Sequence, residues 1–264
     1  MLPHTVGAQD AVVTPAQAVG AAGIITVTPN DGIQSVNPSL MAEVDGLNIA
    51  ASYTLPYNIT DIQQVMGKVV YATSLVNIAA QVSTIGSDES RYTEIGGGLS
   101  RNFGVWGMGL EYHAIIHKLP YNQKYTTGFS RIGVHMMPTS AWLISVALHN
   151  VEHSGFDYEY GSKDIEPMAA LGIRWTASNY FRFMCEAQKY WDSDVVGKVA
   201  VVVTPIDRLT ATVGFASLGS SISCGVGYSI GVFEMNVGIS HHDKLGVTSA
   251  ASVGINGLWG RSTQ

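Results

Sequence analysis

The feature that most constrains this chain is a two-residue alternation that recurs from one end to the other while the polar side of it carries little charge. It is clearest in the last third. Leu209, Ala211, Val213 and Phe215 alternate with Thr210, Thr212, Gly214 and Ala216, and Ile222, Cys224, Val226, Tyr228 and Ile230 alternate with Ser223, Gly225, Gly227 and Ser229. Phe233, Met235, Val237 and Ile239 alternate with Glu234, Asn236, Gly238 and Ser240, and a further segment runs from Val247 to Ile255. A strand sends successive side chains to opposite faces, so each segment has one greasy face and one small or polar face.

Composition decides what the greasy face meets. The chain is 46% hydrophobic and only 13% charged, about half the usual charged fraction of roughly 25%. A solvated sheet face would carry many Lys and Glu, whereas this one is mostly Gly, Ala, Ser and Thr. No segment approaches the ~18 to 20 consecutive apolar residues of a membrane helix. Hydrophobicity spread over alternate positions fits an all-β transmembrane antiparallel up-and-down β-barrel, with lipid as the outer partner. The net charge of −6 argues against a nucleic-acid partner, which calls for a basic surface. Cys185 and Cys224 both fall on apolar faces and read as small hydrophobes.

Two units are expected. Residues 1–45 form an N-terminal leader and hatch or plug, with Pro15, Pro29 and Pro38, weak alternation and a turn at Pro29-Asn30-Asp31-Gly32. This unit reads either as a disordered leader or as a compact plug. Val6-Gly7-Ala8 resembles the end of a signal peptide, which would put the mature terminus near Gln9; an ordinary tail fits equally. Residues 46–264 form the barrel. Alternating segments begin at Leu47 to Leu55 and continue through Val69 to Thr73, after a polar link from Asn58 to Gln64. Further segments run from Val76 to Ser83, Tyr92 to Arg101, Trp106 to Ala114, Tyr125 to Met136, Trp142 to Leu148, Met168 to Trp175, Phe181 to Lys189 and Lys198 to Thr204. With the last four, about fourteen strands result. Val253 to Trp259 should pair with Leu47 to Leu55 and remove both sheet edges. The longest link, His153 to Glu166, is polar and is placed on the outer side. Tyr53, Tyr71, Trp106, Tyr112, Trp142, Trp175, Tyr190, Trp191, Tyr228 and Trp259 form the expected aromatic girdles.

The lumen-facing parity gathers Glu111, His113, Arg131, His135, Arg174, Arg182, Glu186 and Glu234. Both signs occur, so a polar network across the lumen or onto the plug is expected. The Gly-rich stretch Ile95 to Leu99 could kink the wall, since Gly weakens a ladder, or it could bring wall and plug together. Chemistry-bearing motifs are weak. His149-Asn-Val-Glu-His153 matches a zinc-protease pattern, but that pattern needs a helix, and here it leaves an alternating strand. His241-His242-Asp243 reads as a turn, and His113 and His117 share a parity with nothing converging on them. No metal, cofactor or enzymatic activity is expected.

Val36-Asn37-Pro38-Ser39-Leu40, followed by about fourteen alternating strands, resembles the FadL superfamily of outer-membrane barrels. There an N-terminal hatch with an Asn-Pro-Ala type motif plugs the barrel, and Asn37, Pro38 and Ser39 occupy the matching positions, Ser replacing Ala. His242-Asp-Lys-Leu-Gly-Val-Thr-Ser249 before the last strand is similar to the closing hairpin of the PorV and PorQ branch of Bacteroidota, tied to type IX secretion. The resemblance implies the outer membrane of a Gram-negative bacterium. It also implies a role as an accessory or anchoring component of an envelope protein-secretion complex, with protein partners. The alternative is a FadL-like passive channel with a hydrophobic ligand, the hatch gating a lateral opening. A soluble all-β binding protein is the third reading.

Overall fold

The computed structural model describes residues 14–27, 36–159 and 161–258. Within them run sixteen strands: β1 (Leu47–Leu55), β2 (Gln64–Ala72), β3 (Asn77–Gly86), β4 (Arg91–Asn102), β5 (Trp106–Lys118), β6 (Lys124–Thr139), β7 (Trp142–His149), β8 (Gly155–Tyr158), β9 (Gly161–Asp164), β10 (Met168–Thr176), β11 (Phe181–Tyr190), β12 (Val196–Ile206), β13 (Leu209–Ala216), β14 (Ser221–Ile230), β15 (Phe233–His242) and β16 (Gly246–Leu258). Fourteen of them close an antiparallel barrel in sequence order, while β8 and β9 pair only with each other. Closure is made by β1 and β16, from Leu47 opposite Leu258 to Leu55 opposite Ser249. Trp259 and the Pro29 to Gly32 turn lie outside the described residues.

The alternation fixes which way the wall faces. Leu110, Val213, Val226 and Val237 are all more than half exposed, with Ile49, Ile78, Leu171 and Val199 on the same outer surface. An apolar skin of this kind around a closed barrel is stable only against lipid, so the chain is a transmembrane barrel and the soluble reading falls. Cys185 and Cys224 are free thiols on this skin. Trp142, Trp175 and Phe183 stack in a row at one rim, with ring centroids 5.8 and 5.5 Å apart. Tyr190 departs from the expected girdle. It shares the parity of Glu186 and Gln188, and Gln188 Nε2 donates to its hydroxyl at 3.1 Å inside the barrel.

Two links also differ from expectation. β2 starts at Gln64 rather than Val69, because Gln64, Met66, Lys68 and Val70 all turn inward while Val65, Gly67, Val69 and Tyr71 face out. The link from His153 to Glu166 is not merely polar. It carries the β8–β9 hairpin, whose Phe156 is buried. Asn150 closes its base by donating to Ser154 O and Ile165 O at 3.0 and 2.5 Å and accepting from Ser154 N at 2.9 Å. The links at this end of the barrel include that hairpin; those at the opposite end, such as 140–141, 207–208 and 231–232, are tight.

Candidate functional site

The interior is the site, and the N-terminal residues fill part of it. They run around the inner wall in an order that follows the ring. Thr54 of β1 donates to Thr14 O at 2.8 Å. The short helix α1 (Ala16–Gly20) then crosses β15 and β14: Gln17 bonds Glu234, a Cβ on Gly238 would meet Ala16 O at 2.2 Å, and one on Gly20 would lie 2.8 Å from Gly225 Cα. Ser223 accepts from Ala22 N at 2.8 Å and donates to Gly20 O at 2.9 Å. Lys198 of β12 donates to Gly23 O at 2.6 Å, and Glu186 of β11 accepts from Ile25 N and Thr26 N at 2.9 and 2.8 Å. Ser145 of β7 then donates to Thr26 O at 2.9 Å. Asn37 bonds Ser145, and Pro38 sits against Gly109. Finally Asn77 of β3 donates to Met41 O and Val44 O at 2.7 and 2.8 Å before the chain enters β1.

Most of these bonds join a wall side chain to the segment's backbone. The segment has little regular structure of its own, so its buried N–H and C=O groups need the wall. Inward glycines admit it. A Cβ at Gly133 would lie 1.9 Å from Asn37 Oδ1, and one at Gly172 would lie 2.0 Å from Thr26 Oγ1. Asn37, Pro38 and Ser39 form a local cap. Asn37 Oδ1 accepts from Ser39 N at 3.1 Å and Ser39 Oγ at 2.9 Å, opening the 3-10 turn Pro38–Glu43.

A second feature is a charged cluster on the β2–β7 wall. Lys68 Nζ lies 2.8 Å from Glu111, with both side chains 1% exposed. Arg131 lies 2.9 Å from Glu94 and 3.9 Å from Glu111. His113 bridges, with Nδ1 2.8 Å from Glu94 and Nε2 3.3 Å from Glu111. Phe129 stacks on the His113 ring at 5.2 Å and underlies the Arg131 guanidinium at 5.2 Å. Arg131 Nε also donates to His149 Nδ1 at 3.3 Å. Two cations balance two carboxylates, as burial requires.

The Gly-rich stretch of β4 serves this cluster. β4 pairs without a break on both sides, so the wall has no kink there. Its inward glycines make room for side chains of β5: a Cβ at Gly96 would meet His113 Nδ1 at 2.1 Å, and one at Gly98 would meet Glu111 Cγ at 2.4 Å. The glycines are the holes into which the neighbouring strand's His and Glu fold. Gly98→Val should therefore cost about 1–3 kcal/mol by overpacking, whereas Gly97→Val, whose Cβ faces outward with its nearest neighbour at 3.5 Å, should be near neutral. Urea midpoints of the folded barrel in detergent would check the contrast.

Of the eight residues expected in the lumen, Glu111, His113 and Arg131 meet in this cluster. Glu186 and Glu234 instead bind the interior segment, Glu234 also receiving Asn236 and Asn256 at 2.9 and 2.8 Å. His135 Nε2 contacts Glu43 at 3.0 Å. Arg174 and Arg182 lie on the inward parity outside this cluster, half-buried near one rim, with Arg182 bonding Thr204 at 3.4 Å. Lys68, Glu94, His149 and Lys198 were not singled out for the lumen; parity would have revealed Glu94, which precedes Gly96 and Gly98 on the inner face. His149 and His153 do not come together on a helix, since His149 ends β7 inside the barrel. His117, with no evident partner in sequence, has several. It stacks on Tyr92 at 3.8 Å, and its Nδ1 lies 2.8 Å from Tyr158 of the hairpin. Phe156 lies 5.9 Å from both rings.

No family model and no curated protein matches the sequence. Solved structures do. The chain is similar to the P. putida toluene transporter TodX at 8% identity, TM-score 0.69, over 92% of this chain and 98% of that one. It is similar to a Pseudomonas aeruginosa FadL homologue at 11% identity, TM-score 0.63, over 93% and 98%. It is also similar to the monoaromatic hydrocarbon channel CymD at 10% identity, TM-score 0.63, over 92% and 96%. The chain has the fold of the FadL-family outer-membrane barrels.

Proposed function

We propose that this protein is an outer-membrane channel for small hydrophobic molecules, with residues 14–27 and 36–45 as its gate. The observation that carries the reading is a greasy seam inside the barrel. Leu143, Met184, Ala200 and Val202 of the wall pack on Ala21, Ile24, Val27 and Leu40 of the interior segment. A water-filled pore would line that wall with polar groups. Movement of the segment would bare an apolar strip suited to an apolar solute. The named functions of TodX and CymD agree with this. They support it over a role in a secretion complex, which no observation on this structure favours. Because the wall is paired all round, the path we propose is axial, entering past Tyr92, His117 and Phe156, rather than through a side opening.

The test is uptake of a radiolabelled monoaromatic hydrocarbon by cells with and without the protein. Several-fold faster uptake is expected, and Phe156→Ala, which removes the ring over the mouth, should raise it further. Equal uptake with and without the barrel would sink the channel.

A further inference from the structure

We propose that Gly172, Glu186 and Lys198 form the latch that holds the gating segment against the wall; the idea rests on the channel reading and adds to it a specific release point. The three residues lie in one row across adjacent strands, Gly172 opposite Glu186 on β10 and β11 and Glu186 opposite Lys198 on β11 and β12. All three face inward. Together they grip residues 23–26 by backbone groups of both polarities. Glu186 Oε2 accepts from Ile25 N, Thr26 N and Thr26 Oγ1 at 2.9, 2.8 and 2.6 Å. Lys198 donates to Gly23 O at 2.6 Å. Gly172 supplies the space, for a Cβ there would lie 2.0 Å from Thr26 Oγ1 and 3.1 Å from Val27 Cγ2.

The row is built to be satisfied in two states. With the segment seated, one carboxylate oxygen serves the segment and the other holds Lys198 at 3.0 Å. With the segment withdrawn, the Glu186–Lys198 pair remains intact across the ladder, so release strands no lone charge in the barrel. The segment's freed N–H and C=O groups pass to water. Charge-assisted bonds make the seated state the favoured one, and their removal should shift the balance without disturbing the outer skin.

The test uses the full chain with Cys185→Ser and Cys224→Ser to clear the lipid-facing thiols, plus Val27→Cys as a reporter. Val27 is fully buried, so a membrane-impermeant maleimide should label it slowly in liposomes. Glu186→Gln and, separately, Gly172→Val should each raise the labelling rate about tenfold or more, one by weakening the grip and the other by filling the seat of Thr26. Heat-modifiable gel mobility reports that the barrel is intact. Gly172→Val leaves the charges in place, so it decides the matter if Glu186→Gln does not fold. Unchanged labelling in the folded variants would overturn the latch. Faster labelling without faster hydrocarbon uptake would leave the latch standing and overturn the channel.

Discussion

Replacing Lys68 by Met should destabilise the barrel by about 3–5 kcal/mol, the cost of leaving a buried carboxylate without its partner. Lys68 and Glu111 are each 1% exposed and 2.8 Å apart. Without the ammonium, Glu111 keeps, among the described residues, Arg131 at 3.9 Å and the His113 ring at 3.3 Å, and Arg131 is already committed to Glu94 at 2.9 Å. The double variant Lys68→Met with Glu111→Leu removes both charges, and it should recover most of the loss because apolar pairs of similar volume often match a buried ion pair. Urea unfolding of wild type, both single variants and the double would give the coupling. A tolerated Lys68→Met would mean that the cluster is not sealed from water.

What made the outer surface readable was one period on one face. In β13, β14 and β15 the outward residues are mostly large and apolar while the inward ones are mostly Gly, Ser, Thr or Asn, so parity alone gives orientation. The inner surface resists such reading because it contains two materials. Against the interior segment it is small or apolar, as at Ala200, Val202 and Leu143. In β12 the inward Ala200 and Val202 therefore look no different from the outward Val199 and Val201, which hid Lys198. Against the charged cluster it carries Lys68, which lies in the part of β2 ahead of Val69, where the alternation legible in the sequence begins. Glycine was ambiguous for a related reason. Gly133 and Gly172 make room for the segment, while Gly96 and Gly98 make room for a neighbouring strand's side chain, and sequence spacing does not distinguish them.

The course of residues 14–27 and 36–45 was the least legible part. These residues have almost no periodicity because their only regular pieces are the short α1 and the 3-10 turn Pro38–Glu43; the rest of their backbone is satisfied by Glu186, Lys198, Ser223, Ser145 and Asn77, donors and acceptors scattered over the barrel sequence. Such a segment is specified by its receptor. Its own sequence needs only small residues where it meets wall glycines, as Gly20 does at Gly225, and apolar ones where it meets the greasy seam, as Ile24 and Val27 do.

Arginine scanning should separate the two surfaces by the way each variant fails. Val213 is 60% exposed and sits mid-strand between Val201 and Cys224. Val213→Arg places a guanidinium against hydrocarbon and should cost about 2–4 kcal/mol near the midplane, seen as a lowered urea midpoint and a loss of the heat-modifiable folded band. Gly109 lies on the opposite face, where a Cβ would already stand 2.3 Å from the Pro38 carbonyl carbon. Gly109→Arg should let the barrel insert and keep its folded band, while driving Pro38 from the wall and exposing Glu43 and Met41 to proteases. If Val213→Arg inserted as well as wild type, the apolar skin would not be the lipid face. If Gly109→Arg abolished the folded band as Val213→Arg does, the segment would be part of what closes the barrel rather than a guest inside it.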